Sequence, residues 1–182
     1  MFQSTGSLTP ERHALPIISP SPLNSGVYIH PALAVPNLLY DMRSRPSESN
    51  PRLSSAVFTT PASSPPLPSL KLHVHDLPWL FTVQPDASRS LVVVTVQDVL
   101  LAIYFHLRAA VKGSEYNAMS KSKKAEIFRT FERRVSSDEG QRRKGLRRVD
   151  FLGGRFRAQG LRVQELVRPQ PKDSVWDVIV TE

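Results

Sequence analysis

Proline sets the tightest limit on what this chain can fold into. Twelve of its 16 prolines fall in residues 1–68, and none lies between Pro85 and Pro169. Proline fixes φ and removes a backbone donor, so it interrupts helices and central strands. Long regular elements are therefore expected in the proline-free stretch. Short extended pieces joined by turns are expected before it. Residues 1–24 mix Ser, Thr and Pro with few apolar side chains and read as a disordered tail. Residues 25–182 read as one folded domain, within the prior of roughly 100–200 residues per domain.

Hydrophobic periodicity then places the elements. Residues 27–30, 38–42, 69–75 and 79–83 read as short strands. The third alternates cleanly, with Leu70, Leu72 and Val74 on one face and Lys71, His73 and His75 on the other. Residues 43–68 form a proline- and serine-rich connection. The apolar, β-branched run at 91–94 predicts a buried strand. Thr95 and Asp98 then form a capping-box pair. Behind them Val96, Val99, Leu100, Ile103, Tyr104 and Leu107 make one apolar stripe at helical period, closed by Gly113. A short helical turn is expected at 114–119 and a second long helix at 120–135. Ile127, Phe128, Phe131 and Val135 are its expected buried side, and Lys121, Lys123, Lys124, Arg129, Arg133 and Arg134 cover its other faces. Residues 136–144 read as a charged loop. The block 145–154 fits either a strand or a helix that aligns Leu146, Val149 and Leu152. Gly153-Gly154 favours a strand entering a hairpin. Gly160 reads as a bulge, Pro169 and Pro171 as a break, and 175–180 as a final strand.

Charge is concentrated. Residues 121–168 hold 15 Lys/Arg against 6 Asp/Glu, in a chain whose formal net charge is +8. Such a region either meets an acidic partner or is a solvated face. Arg142, Arg143, Lys144, Arg147 and Arg148 are the candidate partner-binding residues. Arg147 and Arg148 also flank Asp150, a charge cluster expected to fix strand register. With few exposed aromatics among these arginines, base stacking is not favoured.

Several chemistries are excluded or weakly supported. The chain has no cysteine, hence no disulfide, thiolate metal site or cysteine nucleophile. It has no Gly-x-Ser-x-Gly elbow, no phosphate loop and no dinucleotide fingerprint. His73 and His75 share a strand face, but a metal site needs a third ligand, which His30, His106 or Asp76 supplies only if the fold brings it close. The most apolar stretch, 91–107, is interrupted by Thr95, Gln97, Asp98 and His106 and does not read as a membrane span. The first residues lack the basic start and apolar run of a signal peptide. No cofactor and no membrane partner are expected, and the location is expected to be intracellular, cytoplasmic or nuclear.

The order of several blocks resembles a known family. These are Leu39-Tyr40-Asp41-Met42-Arg43-Ser44-Arg45-Pro46, Pro65-Pro66-Leu67-Pro68-Ser69-Leu70, Leu77-Pro78-Trp79 and Thr95-Val96-Gln97-Asp98-Val99-Leu100. They continue with Tyr104, Leu107-Arg108, Glu115-Tyr116, Arg147-Arg148-Val149-Asp150-Phe151-Leu152 and Trp176. Together they are similar to DUF6699, an uncharacterised fungal domain family, across about residues 25–182. One departure is Phe156, where the family often has a small polar residue. The resemblance implies an α+β domain and a fungal source, and carries over no catalytic residues. The residues themselves predict a single α+β domain: a mostly antiparallel sheet with two main helices packed on one face. The leading functional reading is a non-enzymatic protein-interaction module. The alternative is a nucleic-acid-binding protein that uses the basic 121–168 region.

Overall fold

The computed structural model describes residues 26–163 and 175–181, apart from Glu48 and Ser137. The expected tail at 1–24 and the break at Pro169 and Pro171 lie outside the described residues. Seven strands form: β1 (Tyr28–Ile29), β2 (Tyr40–Asp41), β3 (Ser63–Ser64), β4 (Leu70–Val74), β5 (Leu80–Val83), β6 (Arg157–Val163) and β7 (Val175–Thr181). The helices are α1 (Ser55–Phe58), α2 (Val96–Arg108), α3 (Gly113–Asn117), α4 (Lys121–Val135) and α5 (Glu139–Arg143). Two 3-10 turns add Pro31–Leu33 and Arg148–Leu152.

Five strands make one sheet in the order β2-β6-β7-β4-β5, and β1 pairs with β3 separately. All neighbours in the main sheet run antiparallel except β4 and β7. In that parallel pair Leu72 lies opposite Trp176 and Val74 opposite Val178, all four buried. β7 is the middle strand and buries Trp176, Asp177 and Val178 in succession, as a strand covered on both faces must. The outcome is a single α+β domain with a mostly antiparallel sheet and helices packed against it.

The two long helices follow from their own caps and stripes. The Thr95 hydroxyl accepts from the Asp98 N–H, and the Asp98 carboxylate accepts from the Thr95 N–H at 2.9 Å, a reciprocal capping box. Val96, Val99, Leu100, Ile103 and Leu107 of α2 are buried. The helix stops at Arg108, short of Gly113, which instead opens α3. On α4 the Ser120 hydroxyl caps Lys123 N–H. Ile127 and Val135 are buried as expected, but Phe128 is 53% exposed, and Thr130 is buried in the stripe.

Three expectations are corrected. Residues 91–94 form no strand: Leu91 and Val92 are exposed and only Val94 is buried. Val94 donates to Leu67 O and accepts from Ala62 N–H. It pins the chain at one point, directly before the α2 cap, so the run has no room to extend. Residues 136–144 contain the short helix α5. The block 145–154 is not a strand into a hairpin. Its centre is the 3-10 turn at Arg148–Leu152, closed by Gly153 at φ +65°. Val149, Asp150, Phe151 and Leu152 are buried one after another, which a one-sided strand does not allow. The Asp150 carboxylate accepts from the Arg147 N–H at 2.9 Å, and such a local side-chain cap competes with strand pairing.

Gly160 is the expected bulge: the β6–β7 register shifts between Ala158 and Gly160. Its φ is +148°, and a Cβ there would fall against Val35 N and within 2.5 Å of the Ala34 carbonyl carbon. Both are backbone atoms that no rotamer change moves aside. Gly160→Ala should therefore cost about 2 kcal/mol or more, read as a lowered midpoint in urea unfolding. An unchanged midpoint would show that the 31–35 segment does not press on the bulge.

Candidate functional site

The site is built around Asp150, whose side chain is 0% exposed. A buried carboxylate needs several donors to stay in place of its water. Arg134, in the last turn of α4, forks onto it: Nε donates to Oδ1 at 2.7 Å and Nη2 to Oδ2 at 2.8 Å. Nη2 also donates to Gly145 O at 3.0 Å, and the Arg147 N–H completes the set. One carboxylate thus ties α4 to the loop and turn that follow α5.

This tie forms one wall of a cavity of about 480 Å³. Five arginines line it, Arg43, Arg108, Arg133, Arg134 and Arg147. They come from the segment after β2, the end of α2, the last turns of α4 and the approach to the 3-10 turn. Tyr104, Thr130, Gln141, Val149 and Phe156 complete the lining together with Asp150.

The arginines are not equally satisfied. Arg43 forks onto Asp41 at 2.6 and 3.0 Å and lies over the Phe156 ring. Arg108 lies 3.5 Å above the Tyr104 ring and donates to the carbonyls of Met42, Arg43 and Tyr104. It meets carbonyls and no carboxylate. Burial pushes the Arg108 guanidinium below its ordinary pKa, and the nearby Arg147 charge pushes it the same way. Among the described residues, the side chains of Arg133 and Arg147 have no hydrogen-bond or ion-pair partner. Arg134 Nη1 is buried without one. The cavity therefore carries an excess of positive charge and of unused donors.

The sequence profile of DUF6699, a family of unknown function, matches residues 38–173. The chain belongs to DUF6699. No curated protein and no solved structure matches it. The matched span of this DUF6699 domain includes every residue that lines the cavity. No helix among the described residues is long and apolar enough to cross a membrane.

Of the residues singled out in the sequence, the cavity takes Arg147 and Asp150. Arg142 instead forks onto Glu132 at 2.9 Å through both terminal nitrogens, and Arg143 lies 4.0 Å from Glu139. Lys144 is exposed at the end of α5. Arg148 turns away to lie over the Trp79 ring, with Nη1 donating to His106 Nδ1 at 2.9 Å. Asp150 is thus met by the Arg134 side chain and the Arg147 main chain rather than by two flanking guanidinium groups. Arg43, Arg108, Arg133 and Arg134 were not among the candidate partner-binding residues, and Arg134 was expected on an outer face of its helix. A signal existed for two of them: Arg134 follows Ile127 and Thr130 on the buried stripe of α4, and Arg108 follows Tyr104 by one turn on α2. A charge on a buried stripe needs a partner.

The paired histidines are placed differently. His73 Nδ1 lies 2.8 Å from Asp177 Oδ1 and Nε2 lies 2.6 Å from Leu77 O, so both ring nitrogens are engaged. His75 is exposed, 3.5 Å from Asp76. Among the described residues no group of three metal-ligating side chains converges.

Two outcomes follow from these contacts. Asp150→Asn keeps the shape but removes the charge facing Arg134; leaving that guanidinium without its counter-ion should cost about 3 kcal/mol, measured by urea unfolding. A loss below about 0.5 kcal/mol would show that the pair is solvated. The second concerns His106, stacked on Phe81 at 3.9 Å. Burial, and then the Arg148 charge, lowers its pKa to about 4, whereas an unfolded histidine titrates near about 6.5. The unfolded chain therefore binds the extra proton first, and stability falls as pH drops from about 6.5 towards about 4. The ring is partly solvated, so screening holds the loss to about 1 kcal/mol. His106→Gln should flatten that part of the unfolding profile, and an identical profile would refute the assignment.

Proposed function

We propose that this domain is an intracellular, non-enzymatic interaction module that holds an acidic segment of a partner protein in its arginine-lined cavity. The observation that carries the reading is the charge imbalance. Five arginines line one concave site, while among the described residues Asp41 and Asp150 compensate only Arg43 and Arg134. Like charges gathered in one place raise the free energy of the empty site, and an anion relieves it. Guanidinium groups offer forked donors that suit carboxylate and phosphate groups. Among the described residues nothing in the lining resembles an acid–base pair: the one carboxylate there, Asp150, already accepts from three N–H groups.

The nucleic-acid reading has less support. Arg142 and Arg143, central to it, are drawn towards Glu132 and Glu139. The two aromatic rings of the cavity, Tyr104 and Phe156, each carry a guanidinium over their face, and are not free to stack on bases.

The test is fluorescence anisotropy with a labelled Glu-rich peptide at low salt, with a single-stranded oligonucleotide measured alongside. The expected result is peptide binding that weakens with salt and falls about tenfold or more in Arg133→Gln/Arg147→Gln, since a charged hydrogen bond is worth about 1.5–3 kcal/mol. Because neither side chain has a hydrogen-bond or ion-pair partner among the described residues, the thermal midpoint should move little. Oligonucleotide binding that persists near physiological salt and is lost when Arg142, Arg143 and Lys144 are changed to Ala would replace this reading with the nucleic-acid one.

A further inference from the structure

We infer that the anionic group taken by the cavity is a phosphomonoester dianion. The inference rests on the anion-binding reading above and specifies its chemistry. Among the described residues Arg108, Arg133 and Arg147 have no carboxylate partner, which leaves three uncompensated arginines lining one space. A single carboxylate brings one negative charge. A phosphomonoester brings nearly two near neutral pH and answers more of the excess.

Direction of approach points the same way. A carboxylate presents two oxygens in one plane and takes its donors in or near that plane. Here the open donors come from separate elements: Arg133 and the buried, unpartnered Nη1 of Arg134 from α4, and Arg147 from the chain entering the 3-10 turn. A terminal phosphate has three acceptor oxygens spread around one atom, and accepts from several sides at once. Tyr104 and Gln141 add neutral donors to the lining. The Thr130 hydroxyl is already spent on Glu126 O. A volume of about 480 Å³ sits within the range of roughly 300–1,000 Å³ usual for ligand sites. It leaves space for the carrier of the phosphate as well as for the phosphate itself.

The experiment titrates the intact chain with three labelled peptides of one sequence, carrying phosphoserine, Glu or Ser at the central position, with inorganic phosphate as a fourth probe. Binding is read by anisotropy and by the arginine Nε–H signals in nitrogen-15 NMR. The phosphoserine peptide should bind best and should shift the Nε–H signals of Arg133, Arg134 and Arg147. Its affinity should fall several-fold between pH 7.5 and pH 5, because the second phosphate pKa is about 6 and acid removes the dianion. The guanidinium groups keep their charge throughout. Arg147→Gln should weaken binding about tenfold, and Arg147→Lys should restore only part of it, since the ammonium lacks the fork.

The outcomes separate the two readings. Equal binding of the Glu and phosphoserine peptides, with no step near pH 6, overturns the phosphate inference and leaves the acidic-protein reading intact. Binding of inorganic phosphate with no gain from the peptide supports the phosphate chemistry, and assigns the cavity to a free phosphorylated small molecule instead of a protein partner. Absence of binding by all four probes overturns both.

Discussion

The Asp150–Arg134 pair is the interaction on which the basic half of the molecule depends. A carboxylate with no exposure to water takes two N–H groups from the Arg134 side chain and one from the Arg147 main chain. Desolvating both partners offsets much of their attraction, so the net gain in stability is modest. Position is what the pair determines. It closes the 3-10 turn, draws the end of α4 onto that turn and aims Phe151 at Trp79, whose ring centroid lies 5.0 Å away. Without it, the last turn of α4 would lose its tie to that turn.

The cavity then follows from what this pair leaves over. Arg134 spends Nε and Nη2 on protein acceptors, and its Nη1 has none. Arg108 is fixed by three carbonyls and a tyrosine ring without being neutralised. Guanidinium groups held by neutral acceptors keep their full charge and lose little conformational freedom when an anion arrives. That is preorganisation in the sense that matters for binding. The second basic group, Arg142 and Arg143, shows the contrast: it is exposed, and Glu132 and Glu139 sit beside it. Sequence proximity placed Arg142, Arg143 and Arg147 in one candidate set, and the fold gives them different chemistry.

Local signals in the sequence were reliable where one element explains itself. The Thr95–Asp98 cap, the α2 stripe and the alternation of β4 all depend on near neighbours. The misreadings occur where a distant residue decides. The apolar run at 91–94 looks like a strand, but Ala62 and Leu67 hold only Val94. The block 145–154 alternates like a strand, but Asp150 serves a turn and an arginine sixteen positions earlier. The cavity was legible only through Arg147 and Asp150. Its other arginines stand on α2, α4 and the segment after β2, and no sequence window of ordinary length contains them together. Only the charges set into otherwise apolar stripes, Arg108 and Arg134, hinted that these helices face a common anionic feature.

The parallel pairing of β4 with β7 gives the assembly of this fold a definite order. β7 lies between β4 and β6, two strands whose sequence positions are separated by the whole helical region. Before it is in place, the β4–β5 hairpin and β6 are separate pieces with unpaired edges. Synthesis runs from the N-terminus, and long-range strand pairing is slow because the connecting chain must first be closed into a loop. The nascent chain therefore carries an unfinished sheet until residues 175–181 arrive. In that interval its exposed edges have the same β4 and β6 partners to offer to any other extended chain, which makes the middle strand the point at which this protein's solubility during synthesis is decided.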